Sequence, residues 1–110
     1  MILDNEQLDN VLNLKELINN INDMDEITLE NTVSLMTHPD YKVRFIAEYM
    51  QAKIRYNSLH KMIIKYEAGT LDFTPTCDIS VLEDQAYHLG CYLKTLEIRS
   101  EVEKIELPKI

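Results

Sequence analysis

Apolar residues recur at steps of three and four along most of this chain, a period that predicts helices rather than strands. The first such segment covers residues 5–21, with leucine and isoleucine side chains on one face. A second and shorter segment covers residues 28–36. The pattern therefore predicts two short helices in the N-terminal third of the chain.

The longest uninterrupted pattern covers residues 41–66, which contain no Gly or Pro. Thr37 is its expected N-cap, and Pro39 suits a first helical turn, where a missing N–H is not needed. The apolar residues of this segment form two stripes: Phe45, Tyr49, Ala52, Tyr56, Leu59, Ile63 and Tyr66 in one, and Val43, Ala47, Met50 and Ile54 in the other. A helix with one buried face needs a single stripe. We therefore expect both flanks to be covered, by the N-terminal helices or by another copy of the chain.

Gly69 is the expected C-terminal stop of the long helix. A capping-box pattern at Ser80 and Glu83 predicts the start of a last helix, which runs to about residue 105. Two long helices joined by about a dozen residues pack antiparallel. The expected fold is all-α, a long antiparallel helical hairpin with two short N-terminal helices packed on it, in a single domain over residues 1–110.

Composition and charge sharpen this picture. Two Gly and three Pro in 110 residues are too few for the frequent turns of a β-sandwich or barrel. The net charge of −8 is uneven: residues 1–36 carry −7, residues 37–66 carry +4 and residues 67–110 carry −5. The basic helix either pairs with its acidic neighbours or grips an anion. A net acidic chain disfavours direct nucleic-acid binding.

The start of the chain has no basic, apolar leader, and no stretch approaches the ~18–20 apolar residues of a membrane span. Two cysteines, Cys77 and Cys91, are too few for a secreted disulfide framework. We therefore expect a cytoplasmic protein with no membrane contact.

One cluster of metal-ligand residue types occurs near the loop end of the predicted hairpin. His88 and Cys91 share a helix face, and His60 lies at the same level of the other helix. If the connection folds back, Cys77 completes a four-ligand structural zinc site. The alternative is two reduced thiols and solvated histidines, with no cofactor.

Catalytic signatures are missing from the sequence. A Cys91–His60 pair would lie mid-helix without an oxyanion hole, and no phosphate-binding glycine loop occurs. We therefore expect that the protein is not an enzyme.

A candidate anion site lies at the start of the long helix. Lys42 and Arg44 flank free backbone N–H groups there, and Tyr41 and Tyr49 could stack on a base. The alternative is that Arg44 bridges to acidic neighbours and that the tyrosines only pack. Gly90, inside the last helix, marks either a close helix crossing or a contact with a cyclic nucleotide.

Several stretches carry a resemblance to a known family: residues 40–49 (DYKVRFIAEY), 66–77 (YEAGTLDFTPTC) and 96–103 (LEIRSEVE). They resemble a crAss-phage-related family of small phage and prophage proteins, over about residues 28–107. The resemblance implies a phage origin, an antiparallel helical hairpin and a bacterial host cytoplasm, and it brings no established activity. In outline the hairpin also resembles phage anti-CBASS and anti-Thoeris proteins, which sequester cyclic nucleotide signals.

These observations lead to three functional hypotheses. The first is a non-enzymatic anti-defence protein, for example an anti-CRISPR that blocks a CRISPR effector nuclease through the acidic residues Asp4, Glu6, Asp9, Glu101 and Glu103. The second is a sponge that sequesters a cyclic nucleotide immune signal. The third is a structural phage adaptor. In each case we expect a homo-oligomer, with a host defence protein as the partner in the first.

Overall fold

The computed structural model describes residues 13–110, and this part of the chain is helical without strands. It contains α1 (Leu14–Asn22), a 3₁₀ helix (Leu29–Thr32), α2 (Val33–Met36), α3 (Tyr41–Ala68) and α4 (Ile79–Glu103). The prediction of an all-α hairpin is confirmed. The first predicted helix is seen from Leu14 onwards, because residues 5–12 lie outside the described residues.

Aspartates rather than hydroxyl residues begin the two long helices. The carboxylate of Asp40 accepts the N–H of Lys42 at 2.9 Å, so Thr37 is not the N-cap of α3. Asp78 accepts the N–H of Ser80 at 2.9 Å and its hydroxyl at 2.7 Å. These bonds hold the pKa of Asp78 below its usual value. The predicted cap at Ser80 was therefore two residues late, because the Asp78 carboxylate satisfies a free N–H group of the first turn.

Gly69 ends α3 as predicted. Its backbone has a φ of 75° and its N–H donates to the carbonyl oxygen of Tyr66 at 3.1 Å. The N–H of Thr70 donates to the carbonyl oxygen of Lys65 at 2.9 Å, which completes the terminal turn. The positive φ favours glycine at this position because a Cβ is strained there.

The two long helices run antiparallel. Near the start of α3, the hydroxyl of Tyr41 donates to Glu103 Oε1 at the end of α4, at 3.3 Å. About two turns further along α3, the hydroxyl of Tyr92 donates to the carboxylate of Glu48. These two contacts set the register of the hairpin.

The buried core occupies only the half of the hairpin near the start of α3, which we call the base. Its largest fully buried side chains are Leu17, Ile18, Ile21, Leu35, Ile46, Met50 and Thr32. The C-terminal tail closes the base, because the N–H of Lys109 donates to Asn22 Oδ1 at 2.9 Å. No helix among residues 13–110 is long and apolar enough to cross a membrane.

Beyond the base, the two helices continue as an uncovered pair. We call residues 53–68 and 79–92 the arm; none of the residues between Ala52 and Leu93 is buried. Side chains of the α3 stripes are buried only as far as Ala52, whereas Tyr66 on the arm is exposed. The N-terminal elements therefore cover the base, and cover of the arm by another copy of the chain stays a prediction.

Candidate ligand-binding groove

Most side chains of the predicted anion site at the start of α3 contact other parts of the protein. The Arg44 guanidinium donates to the carbonyl oxygens of His38 at 2.6 Å and Pro39 at 2.9 Å, and thereby fixes the turn before α3. The Tyr49 side chain is buried in the core. Tyr41 is exposed but bonded to Glu103, and Lys42 is half-buried beside them. Arg44, Tyr41 and Tyr49 thus have partners within the base, and anion binding at the start of α3 stays a prediction.

The acidic residues predicted to bind a partner separate into three groups. Glu103 accepts from Arg99 Nε at 2.7 Å, and this bond, with the neighbouring Arg99 charge and Tyr41, holds the pKa of the Glu103 carboxyl below its usual value. Glu101 is exposed. Asp4, Glu6 and Asp9 lie outside the described residues. Glu103 therefore contributes to the hairpin seam rather than to a free acidic surface.

The predicted zinc ligands are not assembled. Within residues 13–110, no three His, Cys, Asp or Glu side chains come together so as to hold one metal ion. The Cys77 and Cys91 thiols are both exposed and unbridged. The His88 ring instead packs edge-on against Tyr87, with ring centroids 5.5 Å apart.

A groove between α3 and α4 lies on one side of the arm. Its volume is about 420 Å³. Both helices contribute to its lining, which combines rings, small residues and charged groups: Tyr56, His60, Ile63, Glu83, Ala86, Tyr87, Gly90, Cys91 and Lys94. Because the arm is uncovered, this groove is open to solvent along its length.

The aromatic rings of the groove are arranged for stacking. The rings of Tyr56 and His60, one helical turn apart on α3, are stacked with centroids 5.8 Å apart and an angle of 10° between their planes. Across the groove, Tyr87 on α4 is 68% exposed. Flat aromatic faces presented to solvent are the platforms on which proteins stack nucleobases. Tyr56 is half-buried and stacked on His60, so Tyr87 is the tyrosine of the groove whose ring is exposed for a planar ligand.

Gly90 forms part of the groove floor between these rings. A methyl group at this position would lie 3.6 Å from Tyr56 Cε2, an ordinary van der Waals distance. Packing within the chain therefore does not require glycine here, although Gly inside a helix costs about 1 kcal/mol relative to Ala. The edge of the Tyr56 ring lies against this part of the floor, and the missing Cβ leaves room for a second molecule to approach the α4 backbone beside it.

Two lysines lie beside the same rings. Lys53 Nζ is 5.6 Å from the centroid of the Tyr56 ring, within cation–π range. Lys94 lines the groove from α4. Cations next to stacking faces suit a ligand that carries both an aromatic ring and an anionic group.

Sequence reasoning found this groove only in part. It singled out Gly90, His60 and Cys91, the last two as metal ligands. It treated Tyr56 as one member of a packing stripe and did not single out Tyr87. The signal was available: in an antiparallel hairpin, Tyr56 and Gly90 lie at the same level, so a ring faces a missing side chain.

A comparison with models of known protein families matches the part of the chain that forms the two long helices. The Sequestin family model matches residues 39–102. This range contains α3, the connection and nearly all of α4, and so the whole groove. No curated protein and no solved structure matches the chain.

Proposed function

Because the chain belongs to the Sequestin family, we propose that it is a binding protein that sequesters a small ligand without modifying it. The family name supports a sequestering role, and the matched range carries the groove. The observation on which the proposal depends is Gly90, a helix-interior glycine that no contact within the chain requires. Sequestration needs tight binding and no reacting group, in keeping with the expectation that the protein is not an enzyme.

The proposed ligand is a nucleotide, and among nucleotides a cyclic nucleotide signal of bacterial immunity. The exposed ring of Tyr87 suits a base, and the ammonium groups of Lys53 and Lys94 suit its phosphates. The sequence hypothesis of a sponge thus moves to first place, with the groove replacing the start of α3 as its site. A phage protein with this role would act in the cytoplasm of the infected cell.

The proposed active form is a homo-oligomer. On the other side of the arm lies a second, mainly apolar groove, lined by residues that include Ile54, Leu59, Met62 and Leu89. A second copy of the chain that packs along the arm would cover this surface and the outer part of the α3 stripes. The oligomer would also shield a bound ligand from solvent, which slows its dissociation.

Isothermal titration calorimetry against a panel of cyclic dinucleotides, cyclic trinucleotides and cyclic ADP-ribose variants tests the proposal. The wild-type chain should bind at least one of them, and Tyr87→Ala should weaken that binding by about 5- to 150-fold, the equivalent of ~1–3 kcal/mol for one stacked base. Tyr66→Ala is the matched control, since Tyr66 is an exposed arm tyrosine outside the groove. Absence of heat with every ligand would refute the nucleotide assignment.

Inhibition of a host defence protein, such as a CRISPR effector nuclease, is the second candidate. It is favoured by a depression beside the end of α4 that Glu97, Glu101 and Glu106 line. Such an acidic surface could oppose a basic nucleic-acid channel. Reversing Glu101 together with Asp4, Glu6 and Asp9 should abolish inhibition of the effector in a cleavage assay. Unchanged inhibition would exclude this route.

A further inference from the structure

The groove lined by Tyr56, Tyr87 and Gly90 carries charged residues of opposite sign towards its two ends. On α4, Glu83 and Lys94 both line it, and they are eleven residues apart. At a rise of 1.5 Å per residue, their backbones are separated by about 16 Å along the helix. This is about twice the ~8 Å Debye length at physiological ionic strength, so each end interacts with a bound group largely independently.

The end of the groove nearest the base is cationic. Tyr56 on α3 lies beside Gly90 on α4. Because the helices are antiparallel, Lys53 on α3 and Lys94 on α4 lie towards the same end of the hairpin. Lys94 lines the groove there, and Lys53 lies outside the lining, beside Tyr56. Lys53 Nζ is held 5.6 Å from the Tyr56 ring centroid. In the described part of the chain, neither lysine forms an ion pair with a carboxylate.

The opposite end, nearest the connection, is anionic. Glu83 is exposed and lines the groove at the level of Ile63. An ionised carboxylate only accepts hydrogen bonds, so it attracts hydroxyl and amino hydrogens and repels phosphate. Within residues 13–110, Glu83 has no ion-pair partner that would neutralise it.

We infer that the groove binds its ligand in one orientation, with the phosphate between Lys53 and Lys94 and a donor-bearing edge of the base or sugar on Glu83, the specificity-determining residue. This inference rests on the proposed function and adds the ligand's polarity to it. The ring between the two polar ends stacks over Gly90. Glu83 thereby selects ligands whose end remote from the phosphate carries amino or hydroxyl groups, and it discriminates against ligands with phosphates at both ends.

A phosphate probe, a nucleoside and a nucleotide separate the two ends of the groove. The probes are inorganic pyrophosphate, adenosine and adenosine 5′-monophosphate, titrated into the full ¹⁵N-labelled chain and followed by amide chemical shifts. Lys94→Gln should weaken pyrophosphate and the monophosphate by about fivefold and leave adenosine unchanged. Glu83→Gln should weaken adenosine and the monophosphate by about five- to tenfold and leave pyrophosphate unchanged.

Asp84→Asn is the matched control, because Asp84 is the next residue of α4, is exposed and does not line the groove. It should leave all three affinities unchanged. If the wild-type chain binds the monophosphate but Glu83→Gln alters the affinities for pyrophosphate and adenosine equally or not at all, the assigned orientation is wrong and the nucleotide site stands. If no probe shifts the groove amides but a cyclic nucleotide of the calorimetric panel does, the assigned orientation is wrong and the nucleotide site stands. If that cyclic nucleotide shifts no groove amide either, the proposed nucleotide site itself is refuted.

Discussion

Replacing Gly90 with alanine should stabilise the protein and impair its binding, an unusual combination for one methyl group. The residue lies in the interior of α4, between Ile79 and Glu103. Its hydrogen-bonded helical backbone gains about 1 kcal/mol when glycine becomes alanine. The new Cβ would lie 3.6 Å from Tyr56 Cε2, so no clash offsets this gain.

The gain is large enough to measure. A stabilisation of about 1 kcal/mol corresponds to an increase in Tm of roughly 4–8 °C for a domain near this size. Thermal unfolding followed by circular dichroism at 222 nm measures it. Calorimetry with the cyclic nucleotide panel then measures the loss of affinity, because the methyl group occupies the floor on which the ligand ring is proposed to rest.

Gly69→Ala provides the opposite control. Gly69 has a φ of 75°, and nothing lies within 4 Å of a Cβ built there. Alanine should therefore lower the stability by about 1 kcal/mol through backbone strain alone, without affecting binding. A lower Tm for Gly90→Ala would refute the inference that a methyl group fits between α4 and Tyr56 without a clash. A higher Tm with unchanged affinity would show that the ligand does not contact the groove floor.

Three further predictions concern the rest of the chain. Ile46→Ala, at a fully buried core position, should lower the free energy of unfolding in urea by about 2–5 kcal/mol; a loss below 1 kcal/mol would contradict the packing of the base. The hydrogen bond from Arg99 holds the pKa of the Glu103 carboxyl below its usual 4.5. This bond therefore stabilises the fold above pH 4.5, and its contribution disappears as the pH falls through the lowered pKa of Glu103. Glu103→Gln should therefore flatten the acid limb of a stability–pH curve, and an unaltered curve would show that the bond contributes nothing. Changing the exposed Cys77 and Cys91 to serine should alter the free energy of unfolding by less than about 0.5 kcal/mol. Elemental analysis of the wild type should find no stoichiometric zinc, and one zinc per chain would support the predicted metal site instead.

Periodicity was sufficient to predict the fold. Helix-period apolar stripes, the stop at Gly69 and the break near Pro39 located α3 and α4 to within a few residues. The caps were less accurate, because Asp40 and Asp78 compete with nearby hydroxyl residues and only the three-dimensional turn decides between them. The sequence also could not show where the stripes of α3 lose their cover, which depends on how far α1 and α2 reach.

The candidate site was harder to predict for a physical reason. Charge and tyrosines at the start of α3 looked like an anion site, but Arg44 is used to fix a turn and Tyr49 to fill the core. The groove depends on residues that are far apart in sequence and meet only through hairpin register. Tyr56 and Gly90 are the clearest case, since neither is informative until the other faces it.

The central claim is that the chain holds a nucleotide and releases it unchanged, and recovery of the ligand tests this most directly. The wild-type chain is incubated with the cyclic nucleotide that binds in the calorimetric panel, separated from free ligand by ultrafiltration and denatured by heat. Mass spectrometry of the released material should then find the intact ligand in amounts stoichiometric with binding sites, and far less from Tyr87→Ala. Recovery of a cleaved or otherwise altered product, or equal recovery from both proteins, would contradict the account.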